Sequence, residues 1–338
     1  MKYIDRERLL KLRRTFDDNY KITRLYSSYI QNFPELITED LVNELCLGGE
    51  MDKKEALSAL VPQLLGLDFE DPRDRLLIRN YIAPSIRVLD GKRYTSDKYY
   101  KNIKIENKTV GSFELRRESY KPYRAVICDD IKILPDFSEI PPLGFFTEEF
   151  EFPAVLEGGN EWMTLTPVDM DTCREAIDAA CGRVLTFGLG LGYFAYMVSE
   201  KAEVSEVVVV ERSADVIKLF TEELLWQMPN RDKIKIVTAD AIEYARDVMP
   251  KENFDLVFAD IWRDGSDGAE AYKRLKPYEK LCPDTKFMYW IEGFIISRLR
   301  AFKFEELWNN IERGSNLSYD EIVAKLSDKA SLIKTEND

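Results

Sequence analysis

The chain has 338 residues, 45% of them hydrophobic and 32% charged, with 48 Lys+Arg against 61 Asp+Glu for a formal charge of −13. This is a soluble globular composition with room for one large domain or two smaller ones. No apolar run reaches the roughly eighteen residues of a membrane span, and the charged segment Met1 to Arg14 lacks the apolar stretch of a signal peptide. The chain contains no histidine, which excludes Ser-His-Asp triads, imidazole metal sites and histidine bases. Acid–base work is left to Asp, Glu, Tyr, Cys or Lys.

The five cysteines (Cys46, Cys128, Cys173, Cys181, Cys282) form no CxxC pair. No zinc site or disulfide framework is expected, each thiol reads as a buried apolar group, and the cytoplasm is the natural compartment. Charge is unevenly divided: residues 1–150 carry 25 basic and 26 acidic side chains, and residues 151–338 carry 23 and 35. An acidic half repels phosphate backbones, so nucleic acid is disfavoured as a partner and a small-molecule substrate is expected. Arg73, Arg75, Arg79 and Arg87 lie close in sequence and are read as solvated, ion-paired helix positions.

From Asp5 to about Ile30, Leu9, Leu10, Leu12, Phe16, Tyr20 and Ile30 recur at three- and four-residue steps, the pattern of an amphipathic helix. Residues 53–66 form a further helix ending at Gly66, and Asp71-Pro72 supplies an N-cap and first-turn proline for a helix from Arg73 to Tyr81. After about Asn102 the period changes. Alternation in 102–105 and 110–115 around Asn107-Lys108, and in 123–128 and 131–134 around Asp129-Asp130, predicts two β-hairpins. Pro135, Pro141, Pro142 and Gly144 then mark a connector. Residues 1–150 are thus expected to form an accessory domain, helical and then β-hairpin; residues 151–333 form a second domain, and 334–338 a frayed tail.

From Thr166 onward strands and helices alternate. Thr166 and Pro167 open a helix through Ala180, closed by Gly182; strand 184–187 runs into Gly188-Leu189-Gly190-Leu191-Gly192 and a helix from Tyr193 to about Lys201. Strand 206–210, helix 214–226, strand 234–238, helix 241–248, strand 254–259, helix 267–281 and strand 286–291 follow. Near-continuous apolar strands separated by helices predict an α/β fold, a doubly wound, mostly parallel sheet covered on both faces. Ligands of such sheets lie outside the carboxyl ends of the strands. The glycine loop, Glu211, Asp240 and Asp260 all fall at those ends. The glycines let a ligand approach the backbone, the helix N-terminus after Gly192 offers free N–H groups, and Glu211 is placed to accept hydrogen bonds from two ribose hydroxyls.

A dinucleotide fingerprint requires glycine where Tyr193 stands, so the spacing is Gly-x-Gly-x-Gly instead. With this loop after the first strand, Glu211 after the second and Asp240 and Asp260 in register, residues 164–295 resemble the class I S-adenosylmethionine-dependent methyltransferases, whose fold is Rossmann-like. The resemblance implies S-adenosylmethionine as cofactor, with Gly188, Gly190 and Gly192 along its methionine part and Glu211 on the ribose. Asp240 and the Ala241 backbone would meet the adenine amino group, and Asp260 the methionine amine or the acceptor. The chain departs from that family at its end, where 302–313 and 319–326 look helical instead of forming an antiparallel strand pair.

A sulfonium methyl needs an acceptor placed in line and, for an oxygen or ammonium acceptor, a base. Asp260 is the first candidate for that catalytic role and Asp264 the second, with Trp262 and Tyr289 as an aromatic wall for a cationic acceptor. The leading reading is methyl transfer to a small molecule. Asp260-Ile-Trp-Arg-Asp264 and the preceding hairpins also resemble spermidine synthase-like aminopropyltransferases, although their Gly-Gly-Gly-Asp-Gly loop is missing. A non-catalytic S-adenosylmethionine-binding protein is the third reading. Oligomeric state stays open, a homodimer included.

Overall fold

Alternating apolar strands and helices beyond Thr166 produce a five-stranded, all-parallel sheet in the computed structural model, which describes residues 3–333; the tail expected at 334–338 lies outside them. Its strands are β1 (Gly182–Phe187), β2 (Val204–Glu211), β3 (Ile234–Thr238), β4 (Leu256–Ala259) and β5 (Lys286–Tyr289), in the spatial order β3-β2-β1-β4-β5. The order reverses beside β1, where the chain leaves one half of the sheet for the other. Val184–Phe187, Val207–Val210 and Leu256–Ala259 are buried at every position, so the middle of the sheet is covered on both faces. Each such aliphatic side chain contributes roughly 1.5–3 kcal/mol by leaving water. The intervening helices are α1 (Pro167–Ala179), α2 (Tyr193–Ser199), α3 (Ala214–Leu219), α4 (Ala241–Asp247) and α5 (Gly265–Leu275). Thr166 and Asp169 form a capping box at the start of α1, with Pro167 in its first turn. Gly182 does not close α1: it begins β1 at φ +59°, where a Cβ would lie 2.0 Å from a carboxylate oxygen of Asp255.

Contacts divide the chain into two interleaved units, residues 90–121 with 148–292, and residues 3–89 with 122–147 and 293–333. This differs from a single boundary at residue 150. The reason lies in the strands: Phe113–Tyr120 pairs antiparallel with Phe150–Glu157 along its whole length, in a four-stranded sheet with Lys108–Val110 and Asn160–Thr164. The hairpin before it turns at Gly111-Ser112, not at Asn107-Lys108, because Gly111 takes φ +61° and tight hairpin turns favour that conformation.

The other unit carries its own core. Ile22, Tyr26, Val42, Leu57, Ile82 and Phe145 are buried in one cluster, and Leu9, Phe16, Phe304 and Leu326 in a second. The first helix runs Tyr3–Asn32 with Leu9, Leu12 and Phe16 inside, whereas Leu10 and Tyr20 are exposed. Asp71 caps the helix Pro72–Leu77 as expected. The hairpin predicted around Asp129-Asp130 does not form. Ala125–Ile127 pairs with Leu143–Phe146, and Lys132–Ile133 with Glu139–Ile140. Asp130 is otherwise engaged, accepting from the backbone of Gly293 (2.7 Å) and Phe294 (2.9 Å) at the start of the helix Glu292–Glu312. That helix and Tyr319–Ser327 stand where an antiparallel strand pair was absent from the sequence. Arg73 pairs with Asp18, and Arg87 donates to the Pro84 carbonyl. No described helix is long and apolar enough to cross a membrane.

Candidate functional site

A cavity of about 700 Å³ opens at the carboxyl ends of the strands in the unit formed by 90–121 and 148–292. Backbone bonds just past the strand ends tie its rim together: Gly188 N–H to Val210 O (2.9 Å), Asp260 N–H to Phe187 O (2.8 Å), Ala239 N–H to Glu211 O (3.2 Å) and Trp290 N–H to Ala259 O (3.0 Å). The side chains projected from those ends are thereby held in fixed relation, as a preformed ligand site requires.

Gly188 and Gly190 line this cavity, Gly192 lies outside its lining at the start of α2, and all three have positive φ, +96°, +52° and +76°. Their requirements differ. A Cβ on Gly188 would lie 1.9 Å from the Asp260 carbonyl oxygen, and one on Gly192 would lie 2.1 Å from the Phe220 ring. Both are glycine because protein atoms leave no room. Gly190 meets nothing closer than Met163 Sδ at 3.7 Å, so its side is the open one, the approach a ligand would use. Beneath the loop, the buried Tyr99 hydroxyl donates to the Leu191 carbonyl at 2.6 Å.

Glu211 lines the cavity with both oxygens engaged by backbone: Oε2 accepts from Leu189 N–H (3.2 Å) and Oε1 from Ser213 N–H (2.8 Å). Asp240 caps α4, with Oδ1 accepting from Ile242 (2.9 Å) and Glu243 (3.1 Å); Ala241 beside it is buried and also lines the cavity. Asp260 sits on the cavity wall past β4. Burial, with the Asp169 carboxyl adding like-charge repulsion, pushes its pKa up to about 8.

Asp264 does not join them. It is exposed, and as the N-cap of α5 it accepts from Ser266 N–H at 2.6 Å. Trp262 lines the cavity with a buried Nε1 that has no hydrogen-bond partner. Tyr289 stands outside the lining, stacked on Trp262 with ring centroids 6.4 Å apart and its hydroxyl donating to Glu279 at 2.7 Å.

Sequence reasoning missed the cavity residues on α1. Asp169 accepts from the backbone and hydroxyl of Thr166 (2.7 and 2.8 Å), and burial lifts its pKa to about 6. Cys173, one turn on, is buried in the same lining, its thiol pushed up by burial and by Asp260 and Asp169. The Thr166-x-x-Asp169 spacing was a visible capping signature, but nothing local announced that its carboxylate lines the same cavity as Asp260. In all, seven carboxylates line the cavity (Glu157, Glu161, Asp169, Glu211, Asp240, Asp260, Asp267) against two cations, Arg212 and Arg263. Such a lining repels a pyrophosphate and attracts a cation.

No protein-family model and no curated protein matches the chain. Solved structures with partial likeness include precorrin 8w decarboxylase of Methanobacterium thermoautotrophicum, at 18% identity over 35% of this chain and 60% of that one, TM-score 0.27. The spermidine synthase of Thermotoga maritima is 18% identical over 45% and 58%, TM-score 0.30. The CcbJ methyltransferase of Streptomyces caelestis is 20% identical over 35% and 49%, TM-score 0.26. The chain spans less than two thirds of the length of each.

Proposed function

We propose that the chain is an S-adenosylmethionine-dependent methyltransferase acting on a small-molecule acceptor, its parallel sheet being the doubly wound, Rossmann-like kind and the unit begun by the N-terminal helices an accessory one. The observation that carries this reading is the convergence of the open side of Gly190, Glu211, Asp240 and Asp260 on one cavity. The cavity's size is that of a nucleoside-sized ligand site, and its acidic lining fits a ligand with cationic groups.

When bound, S-adenosylmethionine supplies a methyl already activated on sulfonium. Gly190 leaves the loop backbone accessible, Glu211 accepts from ribose hydroxyls, and Asp240 with the Ala241 N–H meets the adenine edge. Asp260 takes a proton from the acceptor. A carboxyl lifted toward neutrality is a stronger base than an ordinary one, which suits it to that role. The protein's remaining contribution is placement, which supplies roughly 7–11 kcal/mol of a two-reactant barrier.

The excess of carboxylates in the lining favours one second reading, aminopropyl transfer to a cationic amine from decarboxylated S-adenosylmethionine. Calorimetry with S-adenosylmethionine, its decarboxylated form and NAD separates the readings. Preference for the first supports methyl transfer, preference for the second supports aminopropyl transfer, and preference for NAD removes both.

A further inference from the structure

The glycine loop is anchored on both sides of Gly190, and the two anchors differ. On one side Leu189 N–H donates to Glu211 Oε2 at 3.2 Å, and Glu211 itself lines the cavity. On the other the Leu191 carbonyl accepts from the Tyr99 hydroxyl at 2.6 Å. Tyr99 is fully buried and stands outside the cavity lining, so its hold on the loop does not depend on what the cavity contains. The residue between the anchors, Gly190, is the one with an open side.

Tyr99 is in turn fixed by the short helix Lys98–Asn102 that carries it. Asp97 caps this helix, accepting from Tyr99 N–H at 2.8 Å, and its other oxygen accepts from the Tyr193 hydroxyl of α2 at 3.4 Å. At the far end Asn102 Nδ2 donates to the Tyr196 hydroxyl at 2.7 Å. Between these ties the Tyr99 ring packs edge-on against the rings of Tyr193 and Tyr196, with centroids 5.6 and 5.5 Å away. Burial raises the pKa of the Tyr99 hydroxyl, which keeps it a donor across the ordinary pH range.

We propose that Tyr99 is the positioning residue of the glycine loop: its hydroxyl sets the Leu191 peptide for the amino-acid part of the bound nucleoside, although the residue itself touches no ligand. The inference rests on the cofactor reading above. Two physical effects support it. A loop with three glycines in five residues samples many conformations, and fixing it before the ligand arrives removes that ordering cost from binding. The bond also engages a carbonyl dipole that would otherwise lack a donor beside a cavity lined by seven carboxylates, where it would repel a ligand carboxylate. Both effects fall on the amino-acid end of the ligand and spare its adenine and ribose.

The test is Tyr99→Phe in the whole chain, which deletes the hydroxyl and keeps the ring, with Tyr196→Phe as a neighbouring hydroxyl deletion that leaves the loop bond intact. Calorimetry with S-adenosylhomocysteine and with 5′-methylthioadenosine, which lacks the amino-acid part, reads the affinities. Tyr99→Phe should weaken the first ligand by roughly 3- to 10-fold and leave the second unchanged, and Tyr196→Phe should change neither. Equal losses for both ligands, an equal loss in Tyr196→Phe, or unchanged affinity in Tyr99→Phe would overturn the proposal while leaving the cofactor reading standing. Failure of the parent chain to bind S-adenosylhomocysteine overturns the cofactor reading, and the loop anchor is then decided by amide hydrogen exchange. Tyr99→Phe should speed exchange at Gly192, whose N–H donates to Leu189 O at 2.8 Å, without speeding it in β1. Unchanged protection of Gly192 would remove Tyr99 from the loop's support.

Discussion

Glu211 holds the backbone N–H of Leu189 at 3.2 Å, so the acid at the end of β2 is a bracket for the glycine loop at the end of β1 before it is anything else. The carboxylate that would take ribose hydroxyls also fixes the loop those hydroxyls must pass. Binding and loop geometry are therefore coupled through one side chain.

Glu211→Ala should weaken binding of S-adenosylhomocysteine by roughly 1.5–3 kcal/mol, about 10- to 150-fold, since it removes charge-assisted acceptors and frees the loop. Calorimetry on the folded variant reads this directly. Unchanged affinity would leave Glu211 as a loop bracket only.

The three loop glycines should separate in a stability experiment. Gly192→Ala drives a methyl to 2.1 Å from the buried Phe220 ring at φ +76°, a clash with strain that costs about 1–3 kcal/mol or more. Gly190→Ala faces ordinary contact with Met163, so its cost should be about 1 kcal/mol from backbone angle alone. Gly190→Val should instead abolish ligand-induced stabilisation in a thermal-shift assay, because its bulk points into the open side. Adding Phe220→Leu to Gly192→Ala should recover part of the lost melting temperature.

What could be read from the sequence was whatever a short window encodes. Thr166-Pro167, Asp71-Pro72 and the Gly-x-Gly-x-Gly loop are local signatures, and each stands at the element boundary it marks. The hairpins were misread because strand partners are not local. Leu143–Phe146 looked like a proline-flanked connector, yet it is a wholly buried strand whose Gly144 is required by Cys128, 2.7 Å from where a Cβ would stand. Asp130 looked like a turn residue, and its true partner is a helix start far along the chain. The site divided the same way. Glu211, Asp240 and Asp260 were visible as acids ending strands, while Asp169 was hidden because its place in the same lining depends on where the fold sets the first turn of α1. Asp264 failed for the opposite reason, since an exposed acid before a helix is satisfied by capping.

Trp262 keeps its indole N–H buried without a partner while stacking on Tyr289. An unsatisfied buried donor costs about 1–3 kcal/mol, so Trp262→Phe, which keeps the ring face and deletes the donor, should leave the melting temperature unchanged or raise it. If ligand binding uses the donor, affinity should fall in the same variant. A drop in stability would mean the indole's size, and not its N–H, is what the wall needs.

Asp260 yields a prediction in which stability and catalysis move in opposite directions. Its carboxyl is lifted to about 8 in the folded chain, against about 3.9 for an unfolded Asp. The folded state therefore binds this proton more tightly than the unfolded one, so the stability contributed by this group is fully present below about pH 4 and is lost as pH rises toward 8. Asp169, raised to about 6, adds to the decline between about pH 4 and 6. Asp260→Asn carries no such proton, so its melting temperature relative to the parent chain should increase steadily from pH 5 to pH 8.5. If Asp260 is the base, turnover should fall by roughly 10²–10⁴ in that same variant with cofactor affinity little changed. If it holds the cofactor's amine, affinity should drop and turnover at saturating cofactor should survive. A melting-temperature difference that is flat with pH would remove the lifted carboxyl. The base assignment would then have to stand on the turnover measurement alone.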